Sequence, residues 1–259
     1  MSRIIAVTNQ KGGVGKTTTS VNLCASLAAA ERRVLLIDID PQGNATMGCG
    51  IDKHDQAHTT CDVLLGEATV ADTVVEVSTS NFHLLPSNSD LTAAEVALLN
   101  GKNGQQALRD ALNGVVGSYD YVIIDCPPAL NMLTINALVA AQSVLIPMQC
   151  EYYALEGLSA LLDTIEQIAD TVNPALKVEG LLRTMFDPRN NLSNEVSAQL
   201  ILHFGDKVYR TVVPRNVRLA EAPSHGLPVL QYDRLSRGAK AYEILADEML
   251  RREQQRQVA

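Results

Sequence analysis

Short apolar runs alternate along the chain with longer stretches in which apolar residues recur every three or four positions. The runs RIIAVT (3–8), RVLLIDI (33–39), FHLLP (82–86), YDYVIIDC (119–126), SVLIPM (143–148) and VEGLLRTMF (178–186) predict β-strands. Stretches 16–30, 90–99, 104–116, 155–171, 192–203 and 238–253 predict helices. Strands that are apolar throughout, rather than at every second residue, are those covered on both faces. The alternation therefore predicts an α/β fold: a doubly wound, mostly parallel sheet with helices on both faces. No internal repeat, low-complexity tract or flexible linker divides residues 1–259, so one domain is expected.

Composition sharpens this picture. Apolar residues make up 46% and aromatic residues 4%, so the core must be built from Val, Ile, Leu and Ala. The five cysteines (24, 49, 61, 126, 150) include no C-x-x-C pair and are expected to be reduced and buried. The beginning lacks the apolar run of a leader, and no 18 consecutive apolar residues occur, so a cytoplasmic protein is expected.

The candidate chemistry begins at NQKGGVGKTTT, residues 9–19. A strand precedes it and a predicted helix follows, which is the context a phosphate loop requires. Gly12, Gly13 and Gly15 free the backbone N–H groups around Val14 to turn toward phosphate oxygens, and the helix N-terminus adds donors. Lys16 can reach the β- and γ-phosphates, with Thr18 following it, and the Thr17 hydroxyl is placed for Mg²⁺. The ligands predicted are thus ATP and Mg²⁺ in a P-loop NTPase. One position departs from the usual pattern. Where a phosphate loop has its first glycine there is Gln10, followed by a second lysine, Lys11.

Three acids join this loop. Asp38 and Asp40 share one side of a strand by the period of two and sit at its carboxyl end, where open α/β sheets bind ligands. Asp125 ends another apolar strand in YVIIDCPP, a form suited to Mg²⁺. In VVPRNVRLAEAPSHG (212–226), Pro214 offers a flat apolar wall and Asn216 an amide that both donates and accepts.

KGGVGKTT resembles the deviant Walker A motif of the ParA/MinD class of P-loop ATPases. The blocks DPQGNAT, DCPPALNMLTINAL, QCEYYALEGL, TMFDPRNNL and PRNVRLAEAPSHG extend that resemblance to the chromosomal ParA, or Soj, family, with residues 50–118 the least matched. The resemblance implies that Lys11 crosses an ATP-bound sandwich homodimer to the partner's nucleotide, as an arginine finger does. It implies that Asp38 supports the metal shell through water and that Asp40 orients the attacking water. It assigns Pro214 and Asn216 to adenine. It also implies non-specific binding of double-stranded DNA, stimulation by a ParB-type partner and a nucleoid-associated location.

Charge gives a separate argument. The chain carries a formal net charge of −8. Residues 183–240, however, hold nine Lys/Arg and five acids, net +4, which leaves 12 basic and 24 acidic residues, net −12, elsewhere. An acidic protein that gathers its arginines can hold phosphate backbone. Aromatic residues are few in the chain, 4% with no Trp, so base stacking is not expected, which favours duplex over single strands. Arg189 and Arg218 match positions linked to DNA in the family. Histidines 54, 58, 83, 203 and 225 form no convincing metal set and are read as structural or surface residues.

Two related readings share the nucleotide chemistry. A MinD-like positioning ATPase needs an amphipathic membrane anchor, whereas ADEMLRREQQRQVA (246–259) has sparse apolar residues, so no membrane is expected. A reductase like the nitrogenase iron protein needs cluster-binding cysteines, and Cys126 and Cys150 are poorly placed for that. The phosphate loop begins by residue 11, so no N-terminal helix-turn-helix extension is expected.

Overall fold

The computed structural model describes residues 2–258. The eight strands are β1 (Arg3–Val7), β2 (Val34–Asp38), β3 (Val75–Val77), β4 (Phe82–Leu85), β5 (Tyr121–Asp125), β6 (Ser143–Gln149), β7 (Lys177–Phe186) and β8 (Val208–Pro214). They form one sheet in the order β3-β4-β2-β5-β1-β6-β7-β8. All neighbours are parallel except β3, which runs antiparallel to β4 at one edge.

The period of two distributes the strand residues between two cores. Ile4 and Ala6 of β1, Leu35 and Ile37 of β2, and Val122 and Ile124 of β5 point to one face. Ile5 and Val7, Leu36, and Ile123 point to the other. With both faces dry, the central strands read as unbroken apolar runs.

The helices in chain order are α1 (Lys16–Ala29), α2 (Asn44–Gly48), α3 (Thr60–Leu65), α4 (Val70–Thr73), α5 (Leu91–Asn100) and α6 (Ala107–Leu112). They continue with α7 (Met132–Ala140), α8 (Ala154–Thr171), α9 (Asn191–Phe204), α10 (Val217–Glu221), α11 (Val229–Tyr232) and α12 (Arg237–Val258). Residues of α3, α5, α6, α7 and α8 fill the first core, and those of α1, α11 and α12 fill the second.

The doubly wound α/β expectation holds, and the six predicted strands are present. Two edge strands, β3 and β8, and six helices, α2, α3, α4, α7, α10 and α11, are additions. The helix expected over 104–116 is shorter: a 3₁₀ turn at Gly104–Gln106 leads into α6, and a second follows at Val116–Ser118. Gly114, at φ 91°, ends that helical stretch early.

The amino ends of the strands are tied by ion pairs around one buried carboxylate. Glu179 of β7 accepts from Arg3 at 2.5 Å and from Arg256 of α12 at 3.1 Å. Burial pushes the Glu179 carboxyl up, but the two guanidinium groups outweigh it and hold the carboxyl below its ordinary value. On β8 the Glu248 carboxylate accepts the N–H groups of Arg210 and Thr211, both at 2.9 Å, which blocks the open edge of the sheet.

Candidate nucleotide site

The site lies at the opposite, carboxyl end of the strands. β1 ends at Val7, the loop 8–15 follows, and Lys16 begins α1. Gly13 (φ 73°) and Gly15 (φ 88°) both occupy the left-handed region, where a side chain is strained. A Cβ on Gly15 would meet Thr184 at 3.8 Å, ordinary contact, so the backbone angle and not crowding calls for glycine there. The loop is braced from within: Asn9 accepts the Lys11 N–H at 3.0 Å and donates to the Pro147 carbonyl at 2.9 Å.

The two lysines are treated differently. Lys16 is buried, 7% exposed, and its Nζ donates to the Lys11 carbonyl at 3.2 Å across the loop. Burial lowers its pKa, with Asp125, Cys126 and Asp40 opposing that shift. The Lys11 side chain is about half exposed and its Nζ pairs with Glu151, two residues beyond β6, at 2.5 Å. Glu151 is followed by Tyr152 and Tyr153, which are 74% and 71% exposed and packed edge to face.

Asp38, Asp40 and Asp125 are all buried. Asp125 accepts from the Thr17 and Ser20 hydroxyls, each at 2.8 Å. Asp38 accepts from the backbone N–H and the hydroxyl of Thr46, both at 2.8 Å, and from the Asp40 N–H at 3.1 Å. Thr46 in turn accepts the Ser87 N–H, and the Ser87 hydroxyl donates to the Asp40 carbonyl at 2.7 Å. β2 stops at Asp38, so Asp40 belongs to the following turn, where its carboxylate accepts the Gln42 N–H at 3.0 Å.

Among the described residues none of these three acids forms an ion pair. Burial, followed by the charge of Asp38, pushes the Asp125 carboxyl above the ordinary range despite its two hydroxyl donors. Burial also pushes Asp38 up, against the bonds from Thr46. Buried carboxylates left without a counter-charge fit a cation. Among the described residues no three His, Cys, Asp or Glu side chains converge as a complete ligand set. That fits Mg²⁺, which keeps waters and phosphate oxygens among its ligands.

The remaining predicted residues lie outside this centre. Pro214 ends β8 in register with Phe186, and the Asn216 side-chain oxygen caps α10 by accepting the Leu219 N–H at 3.3 Å. A cavity of about 430 Å³ is lined by Thr17, Thr18, Asn44 and Met47, and neither Pro214 nor Asn216 reaches it. Arg189 is exposed and pairs with Asp187 at 2.8 Å. Arg218 pairs with Glu221 at 2.8 Å and Asp233 at 3.3 Å. Arg183, counted in the basic stretch, is buried and donates to Ser197 and to the Tyr209 and Arg210 carbonyls, so it offers no surface charge. All five cysteines are free and buried.

Sequence reasoning missed Ser20, Thr46, Ser87 and Glu151. Ser20 had a signal, one turn after Lys16 on the same helix face. Ser87 had none, because only the fold of the poorly matched 50–118 stretch brings it to Asp40.

Residues 2–178 match a family model described as an AAA domain. The chain is 53% identical over 249 residues to the sporulation initiation inhibitor protein Soj of Bacillus subtilis, covering 96% of this chain and 98% of that one. It is 50% identical over 257 residues to the chromosome partitioning protein ParA of Caulobacter vibrioides, covering 98% and 96%. The solved structure of cobyrinic acid a,c-diamide synthase from Mycobacterium smegmatis, with bound ADP and magnesium, superposes at a TM-score of 0.86. That protein is 38% identical, over 98% of this chain and 96% of its own. Fold, phosphate loop and near full-length identity thus agree: the chain belongs to the ParA/Soj family of chromosome-partitioning ATPases.

Proposed function

We propose that this chain is a magnesium-dependent ATPase of DNA segregation. Its ATP-bound form is a sandwich homodimer that holds double-stranded DNA without sequence preference, and a ParB-type partner stimulates hydrolysis and release. It acts in the cytoplasm, on the nucleoid. The observation that carries this reading is the contrast within one loop: Lys16 is buried over the phosphate cradle while Lys11 is half exposed beside it.

The N–H groups of residues 12–18 cradle the phosphates. Lys16 leaves the Lys11 carbonyl and binds the β- and γ-phosphate oxygens of its own subunit. Lys11 leaves Glu151 and contributes its charge to the nucleotide of the second subunit, so that ATP occupancy and dimerisation become linked. Thr17, Asp38 and Asp125 would hold magnesium, which when bound neutralises charge on the phosphate oxygens. Asp40 orients the attacking water. Pro214 and Asn216 border adenine, with the Asn216 oxygen already committed to its cap and its NH₂ left for the base.

Arg189 and Arg218 contact the phosphate backbone after exchanging their acid partners for DNA. Such exposed pairs are worth little, so the exchange costs little.

The membrane-positioning reading lacks comparable support. Among the described residues no helix is long and apolar enough to cross a membrane. On α12 Ile244 is the large apolar side chain exposed among the described residues, too little for an amphipathic anchor. The cluster-binding reading meets buried thiols: Cys126 and Cys150 are 0% and 4% exposed, and burial pushes both pKa values up.

DNA binding measured with ATP, with ADP and without nucleotide tests the proposal, using two unrelated duplexes at several salt concentrations. Binding should require ATP, be equal for both duplexes, and fall with salt with a log–log slope of about −0.9 per neutralised phosphate. Arg189→Ala and Arg218→Ala should each flatten that slope without impairing ATP-driven dimerisation. Tight binding without ATP, or a strong preference for one duplex, would overturn it.

A further inference from the structure

We infer that Thr184, at the end of β7, is a positioning residue of the phosphate loop, setting the direction in which one of its N–H donors points. This rests on the reading of the loop as a nucleotide cradle. The Thr184 hydroxyl donates to the Val14 carbonyl at 2.7 Å, across 170 residues of sequence, and both residues are buried.

The geometry of a peptide unit makes this bond consequential. The carbonyl of Val14 and the N–H of Gly15 belong to one planar trans unit and point in opposite directions. Fixing the carbonyl on Thr184 therefore aims the Gly15 N–H to the side opposite Thr184.

Nothing within the loop could do this. Gly13 and Gly15, the two residues that flank Val14, sit at φ 73° and 88°, and neither has a side chain to hold the backbone there. A loop of three glycines in four residues is free to turn that peptide over, which would present a carbonyl to the phosphates.

Thr184 is itself held firmly. It lies in β7, whose register with the neighbouring β6 pairs it with Gln149. The donor thus comes from a strand rather than from a second loop, as a precise site requires.

The test compares substitutions that isolate the hydroxyl. Thr184→Val keeps shape and loses the donor, and Thr184→Ser keeps the donor. Thr184→Ala and Thr184→Ser both lack the methyl and differ only in the hydroxyl, which covers the case of a valine variant that does not fold. Affinity for a fluorescent ADP without magnesium, thermal melting, and the split of ATPase between KM and kcat are measured. The valine and alanine variants should bind nucleotide about two- to tenfold more weakly, with KM raised and kcat little changed. The serine variant should match the wild type. Equal affinity in folded valine, alanine and wild-type proteins would overturn the inference, as would a serine variant no better than alanine. Failure of the wild type to bind nucleotide would instead overturn the underlying reading of the loop.

Discussion

Two fully buried carboxylates mark the two ends of this sheet, and they are handled in opposite ways. At the amino end Glu179 is clasped by Arg3 and Arg256, which hold its pKa down against burial. At the carboxyl end Asp125 is met only by the hydroxyls of Thr17 and Ser20, and burial with the nearby Asp38 charge pushes its pKa up. Hydroxyls satisfy the hydrogen-bonding capacity of a carboxylate but supply no charge. The first acid has ion-pair partners within the chain, and the second has two hydroxyl donors and only the longer-range charge of Lys16. The same distinction separates the nucleotide centre from the arginine-rich stretch, where Arg189 and Arg218 are neutralised by neighbouring acids. Local charge excess in a sequence is therefore a weaker pointer to a ligand than buried charge without a partner.

The largest effect should come from the acid closest to the chemistry. Asp40→Ala removes the group proposed to orient water, and ATPase should fall about 10²–10⁴-fold. Because the γ-phosphate is retained, the variant should still bind Mg-ATP and accumulate as dimer on size exclusion. Normal hydrolysis would take Asp40 out of the mechanism. Next comes the pair that defines the comparison. Glu179→Ala strands the largely buried Arg3 guanidinium, while the exposed Arg256 stays solvated, and should cost about 3 kcal/mol in urea unfolding. Asp125→Asn removes a charge that has no partner, so the nucleotide-free protein should be unchanged or slightly more stable, while magnesium-dependent tightening of ATP binding is lost. Equal destabilisation by both substitutions would collapse the distinction between them.

The phosphate loop was legible because its residues are contiguous and their context is local: strand, glycines, lysine, helix. Asp38 and Asp125 were legible because each ends an apolar strand. Ser87 and Thr46 were not, since their partners are fixed by tertiary contacts across 8 to 47 residues that no local period encodes. The same limit hid two strands. β3 is three residues long, and the apolar run of β8 is broken by Arg210, which is exposed, and Thr211, whose hydroxyl donates to Glu248. Helix α7 is buried on almost every side, so its apolar residues show no helical stripe, and LTINAL carried no secondary-structure signal.

The two lysines provide a smaller and sharper contrast. If Lys16 binds the nucleotide of its own subunit as proposed, Lys16→Ala loses a charge-assisted contact, and ATP affinity should fall roughly 10- to 100-fold. Lys11→Ala should leave that affinity close to wild type and prevent the stable ATP dimer. Equilibrium titration of a fluorescent nucleotide, paired with light scattering in the presence of ATP, separates the two. Equal loss of affinity in both variants, with dimerisation of the Lys11 variant intact, would remove the role in the second subunit.

The smallest effect concerns what Lys11 does before a second subunit arrives. Its ammonium pairs with Glu151 of the same chain, and that bond must open before the lysine can cross to another nucleotide. The two side chains are 46% and 50% exposed, so water screens the pair and its strength lies in the range of surface ion pairs. A bond that weak restrains Lys11 without trapping it, whereas a buried pair in its place would block dimerisation. Glu151→Gln keeps the length of the side chain and removes its charge. If Glu151 acts only as this restraint, the ATP dimer should form up to about fivefold more tightly at low salt, and the gain should fade as salt screens the wild-type pair. If Glu151 also contacts the second subunit, its loss weakens the dimer instead. A dimer that weakens at every salt concentration therefore assigns Glu151 to the interface, and one that strengthens only at low salt assigns it to holding Lys11 at rest.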